Sequence, residues 1–243
     1  MTTITAAPDT DAGTITLTIV HDTPVTDLYL ADANGTRPVR LPPGTLPTAA
    51  SGTLTVTDHE AALTGHIEYR AGNALVFTNL DGAVRPRFTL PSTPVYAVQV
   101  ETVTAYSAAR TSTATVHQVI NRPDPLVKLG RLRPRNGSLD IICRTYAEAR
   151  TLEAVFERGA IVLYRQIEHQ GMDMYFHGSD VTLTPVAGRW RVSVVYVEVT
   201  FPDGDIQTPA GWTFDAITAA GGSFNDVAQD YRSFTDLALG EKI

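Results

Sequence analysis

Asp58, His59 and Glu60 stand side by side in the stretch TDHE, and His66 follows a few residues later. Carboxylates next to imidazoles are the groups that hold a metal ion or exchange protons with a substrate, so chemistry is sought here first. A polar turn accounts for the same letters equally well. Asp203 and Asp205 in PDGD have the spacing of early calcium ligands, but the remaining loop ligands and the closing Glu are missing, and a Pro-Asp-Gly turn is the simpler reading. His169 and His177 flank QGMDMYF, where Met172, Met174, Tyr175 and Phe176 either line a ligand pocket or, as we prefer, pack a loop or a partner surface. The six histidines (His21, His59, His66, His117, His169 and His177) fall on different expected strands and loops. HExxH, GxSxG, a phosphate-binding Gly-rich loop and a dinucleotide GxGxxG are all absent. The expectation is therefore no catalytic residue, no metal site and no cofactor, in a chain that is not an enzyme. A hydrolase built around His59, Glu60 and His66 is the enzymatic alternative.

The elements that would position these groups are mostly strands. From about residue 12 to 120, apolar residues alternate with threonine and other polar residues in TITLTIV, TLTVT, HIEYR, VYAVQVETV and TSTATVHQV. Gly, Pro, Asn and Asp cluster between them in ADANGTRP, RLPPGTLP, RAGN, NLDGA and LPSTP. Period-two alternation broken by turn residues is the mark of half-buried antiparallel strands, and we expect a mainly β protein whose residues 1–120 form an immunoglobulin- or fibronectin-like sandwich. Prolines and five basic residues in the stretch 120–137 read as a stiff linker over 121–137, with Arg131, Arg133 and Arg135 as a candidate docking strip for an acidic partner.

Residues 138–204 have a different grammar and suggest an α+β domain. Thr145 and Glu148 form a capping box ahead of a helix whose Ala149, Leu152, Val155 and Phe156 share one stripe, and Gly159 stops it. In RWRVSVVYVEVTF, Trp190, Val192 and Val194 share one face and Val195, Val197 and Val199 the other, which predicts burial on both faces or a bulge near Val194. The one cysteine, Cys143, excludes an intramolecular disulfide and a Cys-based zinc site, and it alternates with Leu139 and Ile141 as a buried residue would. A net charge of -7 argues against nucleic acid as a partner. No apolar run reaches the ~18 to 20 residues of a membrane span, and no basic, then apolar leader opens the chain, so a soluble cytosolic protein is expected.

Residues 205–243 close the sequence with a repeat. Ser223-Phe224-Asn225-Asp226-Val227 returns as Ser233-Phe234-Thr235-Asp236-Leu237, with a looser copy from Trp212 to Ile217. Such segments are too short and too poor in apolar residues to fold independently, so an arm lying on its own domain or on a neighbouring subunit is expected. Trp212, Phe214, Phe224, Tyr231 and Phe234 are its candidate contact residues.

DHEAALTGHIEYRAG, the run from NGSLDIICRTYAEARTLEAVFERGAIVLYRQ through GMDMYFHGSDVTLTP to RWRVSVVYVEVTFPDG, and the terminal repeats together resemble minor tail or distal tail (hub) proteins of actinobacterial siphoviruses. That group often has Trp where this chain has Phe224 and Phe234, so packing of the arm would differ. The resemblance implies a structural virion component at the tail end, joining tube to tip, baseplate or fibre. Its implied partners are like copies in a trimeric or hexameric ring and the neighbouring tube, hub and fibre proteins. A carbohydrate- or receptor-binding β-sandwich module of a tail or bacterial surface is the alternative.

Overall fold

The computed structural model describes residues 1–202 apart from 82–84, 119, 121–122 and 170. Asp203, Asp205 and the expected arm, with Trp212, Phe214, Phe224, Tyr231 and Phe234, lie outside the described residues.

The chain is mainly β, as the alternation predicts. Its first seven strands are β1 (Thr3–Asp9), β2 (Thr14–His21), β3 (Tyr29–Asp32), β4 (Gly35–Pro38), β5 (Gly52–Asp58), β6 (Ile67–Ala71) and β7 (Ala74–Thr78). They make two antiparallel sheets, β1-β2-β5 and β4-β3-β6-β7. Ile15, Leu17 and Ile19 of β2 point inward and share one core with Leu30, Ile67 and Tyr69 of the other sheet. Threonines on the alternate positions of β2 stay half exposed, so one face of each strand pays no desolvation cost while the other removes apolar surface from water.

The remaining elements are β8 (Arg87–Thr89), β9 (Ala97–Gln99), β10 (Thr102–Tyr106), β11 (Thr115–His117), β12 (Leu126–Lys128), β13 (Asn136–Cys143), α1 (Tyr146–Glu157), β14 (Val162–Arg165), β15 (Met174–Val186) and β16 (Arg189–Val199). A seven-stranded sheet runs β10-β13-β16-β15-β14-β8-β9. The alternation assigns residues 87–106 to the N-terminal sandwich, but their strands pair with this second sheet. The reason lies in β8, where Phe88 stacks on Tyr164 at 4.9 Å and meets Phe156 and Phe176 edge-on at 6.3 Å, in the second core.

Helix α1 begins as its capping box predicts. Thr145 Oγ1 accepts the Glu148 N–H at 3.1 Å, and the Glu148 carboxylate reaches back to the Arg144 N–H at 2.6 Å. Ala149, Leu152, Val155 and Phe156 enter the core against Leu139, Ile141, Cys143, Val192 and Val194. The expected irregularity falls on the neighbour of β16: the β15 register shifts between Gly178 and Asp180, opposite Tyr196 and Val195. A Cβ on Gly178 would sit 3.0 Å from the Phe156 ring, so the bulge glycine makes room for the helix. Val192, Val194 and Tyr196 are fully buried, whereas Val195 and Val197 on the other face are each 46% exposed.

Within the expected linker 121–137, Leu126–Lys128 form β12 and Asn136 and Gly137 open β13. Beyond β10 and β13 the two chains continue as a ribbon, with bridges Ala109↔Asn136 and Ser112↔Leu132 and then the β11–β12 pair. The described residues among 107–135 thus form a hairpin that leaves the sheet after β10 and returns to it at β13. A side chain on Gly137 would collide with the Ser107 carbonyl, so that glycine lets the two chains close up at the ribbon's root.

No helix among the described residues is long and apolar enough to cross a membrane. Truncating Phe176, which touches Phe88, Phe156 and Tyr196, leaves a cavity at the centre of the second core. Phe176→Ala is expected to cost about 3–5 kcal/mol, measured by urea denaturation.

Candidate functional site

Asp58 ends β5, and the chain then turns back across the junction between the two cores. Asp58 is buried, accepting the Tyr69 hydroxyl at 2.6 Å and the Glu60 N–H at 2.8 Å. Glu60, also buried, accepts Arg40 Nε on one oxygen and the Tyr175 hydroxyl on the other, both at 2.6 Å. Its backbone carbonyl accepts Arg37, whose guanidinium forks onto Asp32 at 2.7 and 2.9 Å. Arg40 continues to the Pro202 carbonyl at 2.7 Å and lies over the Phe201 ring at 4.9 Å.

From the second sheet, Arg165 is 1% exposed and donates to the Gly13 and Ala61 carbonyls at 3.0 and 2.7 Å. Arg87, its cross-strand neighbour, donates to the Asp11 carbonyl. Burial lowers both guanidinium pKa values; the charge of Arg165 lowers Arg87 further, to about 10, whereas the carboxylates of Asp58 and Asp173 pull Arg165 back up. Asn34, at the β3–β4 turn, donates to Asp173 at 3.1 Å. The N-terminal module and the seven-stranded sheet are therefore joined by buried charges and carbonyls.

This geometry answers the reading of TDHE as chemistry. The two Glu60 oxygens and the two Asp58 oxygens all accept internal hydrogen bonds. His59 is held below the ordinary imidazole range by burial, with Arg165 and Arg87 adding to the effect. His66 stacks on Phe77 at 4.8 Å, so the structure does not gather it with Glu60. Among the described residues no group of three or more His, Cys, Asp and Glu is placed to hold a metal.

The stretch between His169 and His177 divides. Phe176 enters the core, His177 is exposed, and Met174 and Tyr175 line a cleft of about 550 Å3 with Asn34, Arg37, Asp173 and Phe201. Cys143 is buried and unpaired, its thiol pushed up to about 11 by burial.

The basic strip also divides. Arg135 is an anchor: its guanidinium meets Glu198 at 2.6 Å, the Tyr106 hydroxyl at 3.1 Å and the Gly171 carbonyl at 3.1 Å. Its N–H reaches the other Glu198 oxygen at 3.0 Å. Arg131 and Arg133 are exposed farther along the ribbon, where their backbones pair with Thr113 and Thr111.

Sequence reasoning missed Arg37, Arg40, Arg87, Arg165 and the ribbon. The available signals were charged residues at inward-pointing strand positions, as in VLYR, and two short apolar runs, TATVH and PLVK, flanking a Pro-Asp-Pro turn. No family model matches the chain, and no curated protein matches it.

Glu60→Ala deprives buried Arg40 of this carboxylate and is expected to destabilise by about 3–5 kcal/mol. Tyr175→Phe, which removes one hydrogen bond to the same carboxylate, is expected to cost about 1–3 kcal/mol; urea denaturation separates the two. Arg135 holds the Glu198 carboxyl below its usual value of 4.5. A depressed folded-state pKa gives stability that is present above the unfolded value and lost as pH falls through the folded one. Melting temperature should therefore drop more steeply below about pH 4.5 in the parent chain than in Glu198→Gln.

Proposed function

We propose that this chain is a structural assembly subunit of a siphovirus tail, packing with like copies in a ring at the tail end and contacting tube, hub or fibre proteins. The observation that supports it best is the ribbon. A two-stranded ribbon with nothing on its faces is marginal in water, and its open edges invite pairing with another chain. This one exposes Val116, Leu126, Val127, Leu129 and Leu132. Residues 107–135 carry six basic side chains and one acid, Asp124, a net of +5. With -7 on the whole chain, the other residues hold -12. A basic, apolar projection on an acidic body is complementary to a second copy of that body, and head-to-tail contacts of this kind close into rings. The exposed Val195 and Val197 give the body an apolar stripe of its own. The sequence resemblance supplies the tail setting.

A second reading, a carbohydrate- or receptor-binding module, draws on the outer face of the four-stranded sheet. There Tyr29, Leu75 and Phe77 are exposed beside the Arg70–Glu68 pair. Gold-labelled antibodies to the chain, imaged on virions of the phage that encodes it, test the tail setting. Label confined to the tail end is expected; virions without label, with the chain left in the soluble lysate, would overturn the tail reading.

A further inference from the structure

The cleft at the module junction contains a carboxylate that no cation contacts directly among the described residues. Three carboxylates line it: Glu60 is matched by Arg40, and Glu198 by Arg135. Asp173 makes no ion pair among the described residues; its partners are the neutral Asn34 amide at 3.1 Å and the Gln166 N–H at 3.0 Å. Burial raises its carboxyl pKa, against the hydrogen bonds from Asn34 and Gln166 and the more distant Arg165 charge, which lower it. Two aromatic residues stand beside it, Tyr175 and Phe201, packed edge to face at 5.3 Å. A carboxylate next to aromatic rings suits a planar guanidinium, which forks onto the one and stacks on the other. The chain already uses this contact, with Arg40 lying over the Phe201 ring.

The matching cations are on the ribbon. Arg131 and Arg133 are exposed and make no ion pair among the described residues. Arg135 is fixed on Glu198 at the cleft rim, and Arg131 lies about 13 Å farther along the strand at ~3.3 Å per residue. The bridge between Ser112 and Leu132, which lies between them in sequence, ties this stretch to the opposite chain of the ribbon.

We propose that the Asp173–Tyr175–Phe201 cleft of one copy receives Arg131 or Arg133 from the ribbon of a second copy, an inference that rests on the reading of this chain as a self-assembling subunit. The ribbon then seats by a charge-paired, ring-stacked guanidinium at its shaft, with the apolar tip lying beyond on the same neighbour.

Sedimentation velocity of the full chain over a range of concentrations tests this with three charge changes. Asp173→Lys, and separately Arg131→Glu with Arg133→Glu, should each weaken self-association at least about tenfold. Combining all three should restore most of it, because the reversed charges again face each other. Where Asp173→Lys fails to fold, Asp173→Asn serves instead and should weaken association by a smaller factor. Loss with the ribbon variant but parent-like association with both Asp173 variants would overturn the cleft inference and leave the assembly reading standing. A parent chain that is monomeric at every concentration would overturn both.

Discussion

Glu60 is the point on which the rest of the molecule depends. A carboxylate removed from water is costly unless its lone pairs are filled, and Glu60 fills them with Arg40 from the N-terminal module and Tyr175 from the seven-stranded sheet. Around it Asp32 holds Arg37, Asp58 holds Tyr69, and Arg165 reaches carbonyls of two loops. The partners are buried or half-buried and each is needed by another, so loss of one leaves a second charge or carbonyl stranded. Apolar contact between two sheets tolerates sliding, whereas directional hydrogen bonds to buried charges do so far less. The junction thereby holds the cleft walls, Asp173 and Tyr175 on one side and Asn34 and Arg37 on the other, in one arrangement.

The ribbon inherits this rigidity at its base. Arg135 and Glu198 clamp the root from two directions, side chain to side chain and backbone to side chain. The Tyr196 hydroxyl adds a bond to the Ser107 carbonyl at 2.9 Å, on the opposite chain of the hairpin. A projection with a fixed root presents its tip at a defined place, which reduces the ordering entropy lost when it meets a partner. The same root lies beside the cleft, so a neighbour docked there would contact the ribbon of one copy and the junction of another together.

Much of this is legible in the sequence, and the failures have physical causes. Alternation in TITLTIV and the capping box at Thr145 identify strand and helix because both are local signals, satisfied within a few residues. Which sheet a strand joins is not local. Residues 87–106 alternate like their N-terminal neighbours, and only the aromatic contacts of Phe88 assign them to the second core. Pro and Arg in 121–137 suggest a solvated connector, and a solvated two-stranded arm has the same composition. TDHE was legible as a place where charge gathers, but the partners that turn it into a joint come from residues 40, 69 and 175. Arg165, a charge among apolar residues, was the sign that something other than a plain hydrophobic interface lay there.

The central claim is that the basic ribbon joins one copy to the acidic body of another. Sedimentation velocity of the full chain at about 50 and 500 mM salt addresses it directly, because screening shortens the reach of surface charge from above 10 Å to well below it. The account predicts concentration-dependent association at the lower salt that weakens by more than about tenfold at the higher. A monomer at every concentration and salt, or an association that salt leaves unchanged, would contradict it.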